Sequence, residues 1–240
     1  MRTSVLLLFI LFASTLSAQS LIGAWEFEET TDTGQKLTVT VILTESHQVA
    51  TWYDAETGAF VKTNGGFWSM DGNTVTEVIE FDSENNERVG SEVSFEVEWD
   101  GDNKMRILGR ETWLTRIDDG ATPGALAGAW LMSGRKRNGE GDVQSRDTSR
   151  PRKTMKILSG TRFQWIAYNT ETKEFKGAGG GNYTTIDGRY TENIEFFSRD
   201  DSRVGASLPF NYELVDGAWH HSGKSSKGAP IYEVWSLRNN

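Results

Sequence analysis

The chain has no cysteine. That excludes a disulfide-stapled scaffold and an anchor attached through a lipidated cysteine. Histidine is nearly as scarce, with three in 240 residues. His220 and His221 are adjacent, so on a strand they project to opposite sides and do not form a zinc pair. The acidic turns near Asp82 and Asp200 lack calcium-loop spacing, and no Gly-x-Ser-x-Gly nucleophile motif is present. The glycine run Gly177-Ala178-Gly179-Gly180-Gly181 has neither the Lys-Ser/Thr nor the helix that would complete a phosphate loop. No metal or cofactor is expected on these grounds. Basic charge is also short: 25 Lys and Arg against 34 Asp and Glu give a net charge of −9, which argues against nucleic acid as a partner.

Long apolar runs are missing except at the very start. Arg2 is followed by the unbroken apolar run Val5 to Ala13, then Leu16-Ser17-Ala18 before Gln19. Residues 1–18 have the form of a secretory signal peptide, too short to span a bilayer well, so a secreted or periplasmic protein without a transmembrane segment is expected. With only four prolines, the rest is rich in glycine (25), tryptophan (9) and phenylalanine (12), with many Thr, Val and Tyr, a composition that favours strands.

The sequence repeats itself. Leu21-Ile22-Gly23-Ala24-Trp25 returns as Leu126-Ala127-Gly128-Ala129-Trp130, an offset of 105 (126 − 21). From Tyr53/Tyr168 to about Glu98/Glu213 the offset is 115 (168 − 53) without a gap, and it pairs Gly66 with Gly181, Glu77 with Glu192, Phe81 with Phe196 and Arg88 with Arg203. Near the end, Glu111-Thr112-Trp113 matches Glu233-Val234-Trp235. The organisation read from this is a signal peptide at 1–18, one copy at 19–118, a linker at 119–125 and a second copy at 126–240. Each copy shows about eight short alternating segments, separated by turn residues every 8–12 positions. This predicts an all-β protein of two tandem antiparallel up-and-down barrels, with one larger merged barrel as the alternative. Gly65-Gly66 and Gly180-Gly181 read as bends in a wall.

A Gly-x-Trp on the first strand with an Arg after the last resembles the lipocalin and calycin barrels: Gly23-Ala24-Trp25 with Arg116, and Gly128-Ala129-Trp130 with Arg238. The resemblance implies cation–π contacts between Trp25 and Arg116 and between Trp130 and Arg238. The second copy is more specifically similar to an uncharacterised lipocalin-like family of secreted bacterial proteins, through Lys156-Ile157-Leu158, Phe163-Gln164-Trp165, Gly179-Gly180-Gly181-Asn182-Tyr183 and Tyr190-Thr191-Glu192-Asn193-Ile194-Glu195. The first copy matches more loosely, with Trp68 for Tyr183 and Val75 for Tyr190.

The candidate site follows from alternation. Tyr190, Glu192, Ile194 and Phe196 share one strand face, as do Val75, Glu77, Ile79 and Phe81; the more apolar face belongs inside. Glu192 and Glu77 are then interior carboxylates that require a partner or a ligand, whereas Glu195 and Glu80 are expected in solvent. Glu233, on the face of Trp235, is a further interior candidate. Arg203 and Arg88 are candidate clamps for an anionic group, and Tyr183, Tyr190 and Trp165 are candidate aromatic walls. A locally basic insert, Arg135 to Lys153, has seven Lys/Arg against Glu140, Asp142 and Asp147 and reads as a solvated loop or as an anion-attracting rim over the second barrel. The leading expectation is non-enzymatic binding of a small, apolar or partly polar ligand in a barrel cavity. An acid–base enzyme of decarboxylase or isomerase type and a cavity-less interaction module are the alternatives. The sequence sets no oligomeric state.

Overall fold

The structure, a computed structural model, describes residues 19–225 and 228–238. The signal-peptide segment 1–18 lies outside the described residues. The first copy forms β1 (Gly23–Thr30), β2 (Lys36–Leu43), β3 (His47–Asp54), β4 (Phe60–Asp71), β5 (Thr74–Asp82), β6 (Glu92–Trp99), β7 (Lys104–Ile107) and β8 (Leu114–Asp118). Each strand pairs antiparallel with the next, and β1 pairs with β8, so the barrel is closed. The second copy forms β9 (Gly128–Arg137), β10 (Glu140–Ser145), β11 (Arg152–Leu158), β12 (Arg162–Asn169), β13 (Glu174–Ile186), β14 (Arg189–Phe197), β15 (Ser207–Val215), β16 (Ala218–Lys224) and β17 (Pro230–Leu237). It closes through β9 and β17. The extra strand, β10, doubles back on the far end of β9 as a flap. Two closed eight-stranded barrels therefore stand in tandem, and the merged barrel is not formed. Among the described residues no helix is long and apolar enough to cross a membrane.

The paired glycines bend the walls as expected. The register of β4 against β5 shifts between Gly65 and Gly66, and that of β13 against β14 between Gly180 and Gly181. A Cβ on Gly66 would lie 2.0 Å from the Val78 carbonyl oxygen, and one on Gly181 would lie 2.1 Å from that of Asn193, so only glycine lets the two strands approach here. Each repeated Arg-Val-Gly forms or follows a single 3-10 turn (Asn86–Arg88 and Asp201–Arg203) that leads into β6 or β15.

Two cores lie inside the barrels. Leu21, Trp25, Leu43, Val75, Val97 and Met105 fill the first; Leu126, Trp130, Leu158, Phe163, Tyr190 and Trp219 are among those filling the second. A third core joins the outer walls, with Ile42, Tyr53 and Phe81 of the first barrel against Ile157, Tyr168 and Phe196 of the second. These are repeat-equivalent residues, so the contact is close to two-fold symmetric, as in an isologous dimer fused into one chain. The polar contacts reciprocate too. The Tyr168 hydroxyl donates to Glu80 (2.9 Å), and the Tyr53 hydroxyl donates to Glu195 (3.1 Å).

This contact corrects two expectations. Glu80 is buried and Glu195 half-buried, because the outward face of each strand is covered by the other barrel. Glu80 is 9 % exposed and receives both terminal nitrogens of Arg238, at 2.6 and 2.7 Å. Burial alone would raise its pKa, but Arg238 and the Tyr168 hydroxyl outweigh burial and hold it below the usual carboxylate range. Glu195 receives Arg162 and Asn182. The second correction concerns Arg238. Arg116 lies 4.1 Å over the Trp25 ring as the resemblance implies, but its counterpart Arg238 leaves Trp130 for Glu80 and stacks 4.6 Å over Phe67. A bidentate carboxylate from the neighbouring barrel is a stronger partner for a guanidinium than a ring face.

Candidate functional site

Alternation on β14 sets Tyr190, Glu192 and Ile194 on one strand face, and these and Phe196 are all buried. Phe196, beyond the bulge, joins the contact between the barrels, while Tyr190, Glu192 and Ile194 face the interior of the second barrel. On β11, Lys156 lies opposite Trp130 of β9 and Trp165 of β12, both of which pack with the interior core. The Lys156 ammonium donates to Glu192 at 2.6 Å, and both side chains are almost fully buried. The same ammonium lies 5.0 Å from the ring centres of Tyr190 and Trp219, 5.3 Å from Trp235 and 5.9 Å from Phe210. A charge taken out of water needs this degree of compensation, from a carboxylate on one side and ring faces on the others.

A cavity of about 200 Å³ opens above this pair. Trp165, Ile194, Phe197, Leu208, Phe210 and Ile231 give it apolar walls, while Thr154, Lys156, Glu192, His221 and Glu233 supply its polar atoms. His221, on β16, is 2 % exposed, and its Nδ1 lies 3.4 Å from the Glu233 carboxylate on β17. Burial, with the Lys156 charge second, lowers the His221 pKa against the pull of Glu233, so the imidazole is neutral at neutral pH. Burial tends to raise Glu233, but His221 and Lys156 overcome this and hold it low, as a carboxylate. The Tyr190 hydroxyl is pushed up by burial and by the neighbouring Glu192 charge, so it stays protonated. Neither ring nitrogen of His221, nor the indole nitrogen of Trp235, nor the Tyr190 hydroxyl has a hydrogen-bond partner among the described residues. The floor thus carries one ion pair, one additional carboxylate, a neutral base and unmatched donors.

The candidates read from the sequence distribute unevenly. Glu192, Glu233 and Trp165 line the cavity, and the Tyr190 ring sits against the Lys156 ammonium at its floor. Tyr183 lies lower, 5.5 Å from the Tyr190 ring, where its hydroxyl donates to the Ser159 carbonyl near the linker. Arg203 bonds Asp200 at 3.1 Å on its own turn, and Arg88 bonds Asp82 at 2.7 Å on the equivalent turn. Neither guanidinium lines the cavity. Glu77, in the first barrel, is half-buried with no hydrogen bond or ion pair among the described residues, and burial, eased by the Arg88 charge, pushes its pKa up to about 7. Lys156 and His221 belong to the site, and sequence reasoning misses both as members of it. A signal for Lys156 exists, since it lies two residues from Leu158 on a strand that buries both faces. His220, the other member of the pair, turns outward onto the Tyr232 hydroxyl at 2.8 Å. Among the described residues no group of three His, Asp or Glu is placed to hold a metal ion.

No protein-family model matches the sequence, and no curated protein does. Among solved structures, an uncharacterised protein from Bacteroides eggerthii DSM 20697 is similar over 47 % of this chain and 98 % of its own, at 15 % identity and a TM-score of 0.32. A likeness of that size carries no argument about function.

Proposed function

We propose that this is an exported, lipocalin-like protein, secreted or periplasmic, whose second barrel binds a small, partly polar molecule. The observation that carries this reading is the cavity itself, which is walled by apolar and aromatic side chains and ends on the buried Lys156–Glu192 pair. Apolar walls with a few convergent polar groups are the usual composition of small-molecule sites. The unmatched donors and acceptors on the floor support a ligand with a polar end, since buried polar groups without partners are costly. Native mass spectrometry of protein purified from its own source should show a co-purifying molecule. The neutral probe N-phenyl-1-naphthylamine should brighten on entering the cavity. A clean unliganded mass together with no probe response would sink the reading.

Acid–base catalysis is the second reading, and one observation favours it: His221 is a neutral imidazole facing the cavity, 3.4 Å from an ionised Glu233. If the recovered ligand is turned over, His221→Asn should abolish turnover and leave probe binding intact. Turnover that survives this change would remove His221 from the chemistry.

A further inference from the structure

Resting on the reading of the second barrel as a binding cavity, we infer that its ligand is an elongated amphiphile with an oxyanion end, received at the mouth by a rim of three arginines, Arg135, Arg146 and Arg152.

Three local features bring these side chains to one place. On β11, alternation puts Arg152 on the face of Thr154 and Lys156, both of which line the cavity. On β9, the register against β17 slips between Val234 and Trp235: Met132 lies opposite Trp235, Gly134 opposite Val234 and Arg135 opposite Glu233. Ser133 is therefore the extra residue of a bulge. A bulge reverses the alternation beyond it and re-aims the next side chains along the strand. Directly opposed residues share a face, so Arg135 stands on the face of Glu233 and projects toward the mouth. Arg146 comes just after β10, its amide bonded to the Ser133 carbonyl, and its guanidinium reaches the sulfur of Met132, a cavity wall, at 3.4 Å.

The cluster is not ion-paired. Among the described residues none of the three forms an ion pair. The nearby acids have other surroundings: Asp147 pairs with Arg150, Glu233 lies by His221, and Glu140 and Asp142 are exposed to solvent on β10. Burial, then the charges of Arg152 and Arg135, depress the pKa of Arg146. Three guanidiniums gathered with no ion-paired carboxylate among the described residues, on a chain of net charge −9, form a site for an external anion. The first barrel has no such rim. Its β1 and β2 are joined by a short turn at 31–35, and the position of Arg152 is held there by Leu37 (152 − 37 = 115). Among the described residues the flap occurs in the second barrel only, beside the cavity. Lys156 is four residue steps along the strand from Arg152, about 13 Å at roughly 3.3 Å per step, which sets the span of the ligand from floor to rim.

The test is displacement of N-phenyl-1-naphthylamine by 4-phenylbutanol, 4-phenylbutyrate and 4-phenylbutyl phosphate, three ligands with one apolar body. At least one anion should bind about tenfold more tightly than the alcohol, with the gap shrinking as salt is raised. In the triple variant Arg135→Gln/Arg146→Gln/Arg152→Gln the gap should close while the alcohol binds as before. These side chains are exposed or half-exposed, so an unchanged melting curve confirms folding. If the alcohol binds as tightly as both anions, or the triple variant keeps the preference, the rim is overturned and the cavity stands. If neither the probe nor any of the three ligands binds, the cavity reading fails and the rim falls with it.

Discussion

The two barrels share one carboxylate and surround it differently. At the position of Lys156 the first barrel has Val41, each lying opposite the barrel's first Trp. At the positions of Tyr190, Trp219 and His221 it has Val75, Met105 and Ile107. Glu111, matched to Glu233, is exposed. Glu77 keeps its place in the wall but has neither the cation nor the ring faces that hold Glu192. The base, the cation and the aromatic cage therefore belong together. One barrel has all of them, while the other has the glutamate and an apolar filling. The proposed binding therefore belongs to the second barrel, with the first as its support.

The largest expected effect comes from breaking the pair that distinguishes them. Lys156→Met strands a buried carboxylate and should lower stability by about 3–5 kcal/mol. Adding Glu192→Leu, which removes the stranded charge, should recover most of that loss. Urea unfolding of the single and double variants measures both. A single variant that loses less than about 1 kcal/mol would mean that the pair is not held dry.

The unpaired glutamate gives the next effect, and its sign is opposite to that of a salt-bridged carboxylate. Glu77 has a folded pKa of about 7 against an ordinary 4.5, so the folded state binds the proton more tightly than the unfolded chain. Stability should then fall as pH rises from about 4.5 to 7 and level off above. Glu77→Gln should remove that slope and stabilise the protein at pH 8 by about 2 kcal/mol, less than the full shift at about 1.36 kcal/mol per pKa unit gives because the side chain is only half-buried. Thermal melts across this range, wild type against variant, check it. Equal slopes in the two proteins would show that Glu77 is paired or well solvated.

How much of this was readable from sequence depends on which surface each strand faces. The barrels were legible because repeat spacing, turn residues and alternation agreed. The interior position of Glu192 came from the same alternation. Alternation fails where a second body covers the outer face. Glu80 and Glu195 were expected in water because nothing within one copy indicates that the other copy sits on them. Lys156 was obscured by the same cause. Met155 and Ile157 pack between the barrels while Lys156 and Leu158 face inward, so the strand reads as apolar on both sides and the lysine draws no attention. The bulge at Ser133, which turns Arg135 toward the mouth, depends on the register between β9 and β17, far apart in sequence, and has no local signature.

The smallest effect separates the two repeated arginines, which look identical in sequence. Arg88 bonds Asp82, whose side chain is 4 % exposed; Arg203 bonds Asp200, whose side chain is 44 % exposed. Removing Arg88 takes a partner from a buried carboxylate that also caps the amides of Glu84 and Asn85. Arg88→Ala should therefore cost about 1–2 kcal/mol. Arg203→Ala removes the bond to an exposed Asp200 and should cost less than Arg88→Ala. Neither guanidinium lines the cavity, so probe affinity should be the same in both variants as in wild type. A loss of affinity in Arg203→Ala alone would extend the anion-binding rim around to the β14–β15 turn and make the second copy of the motif functional where the first is structural.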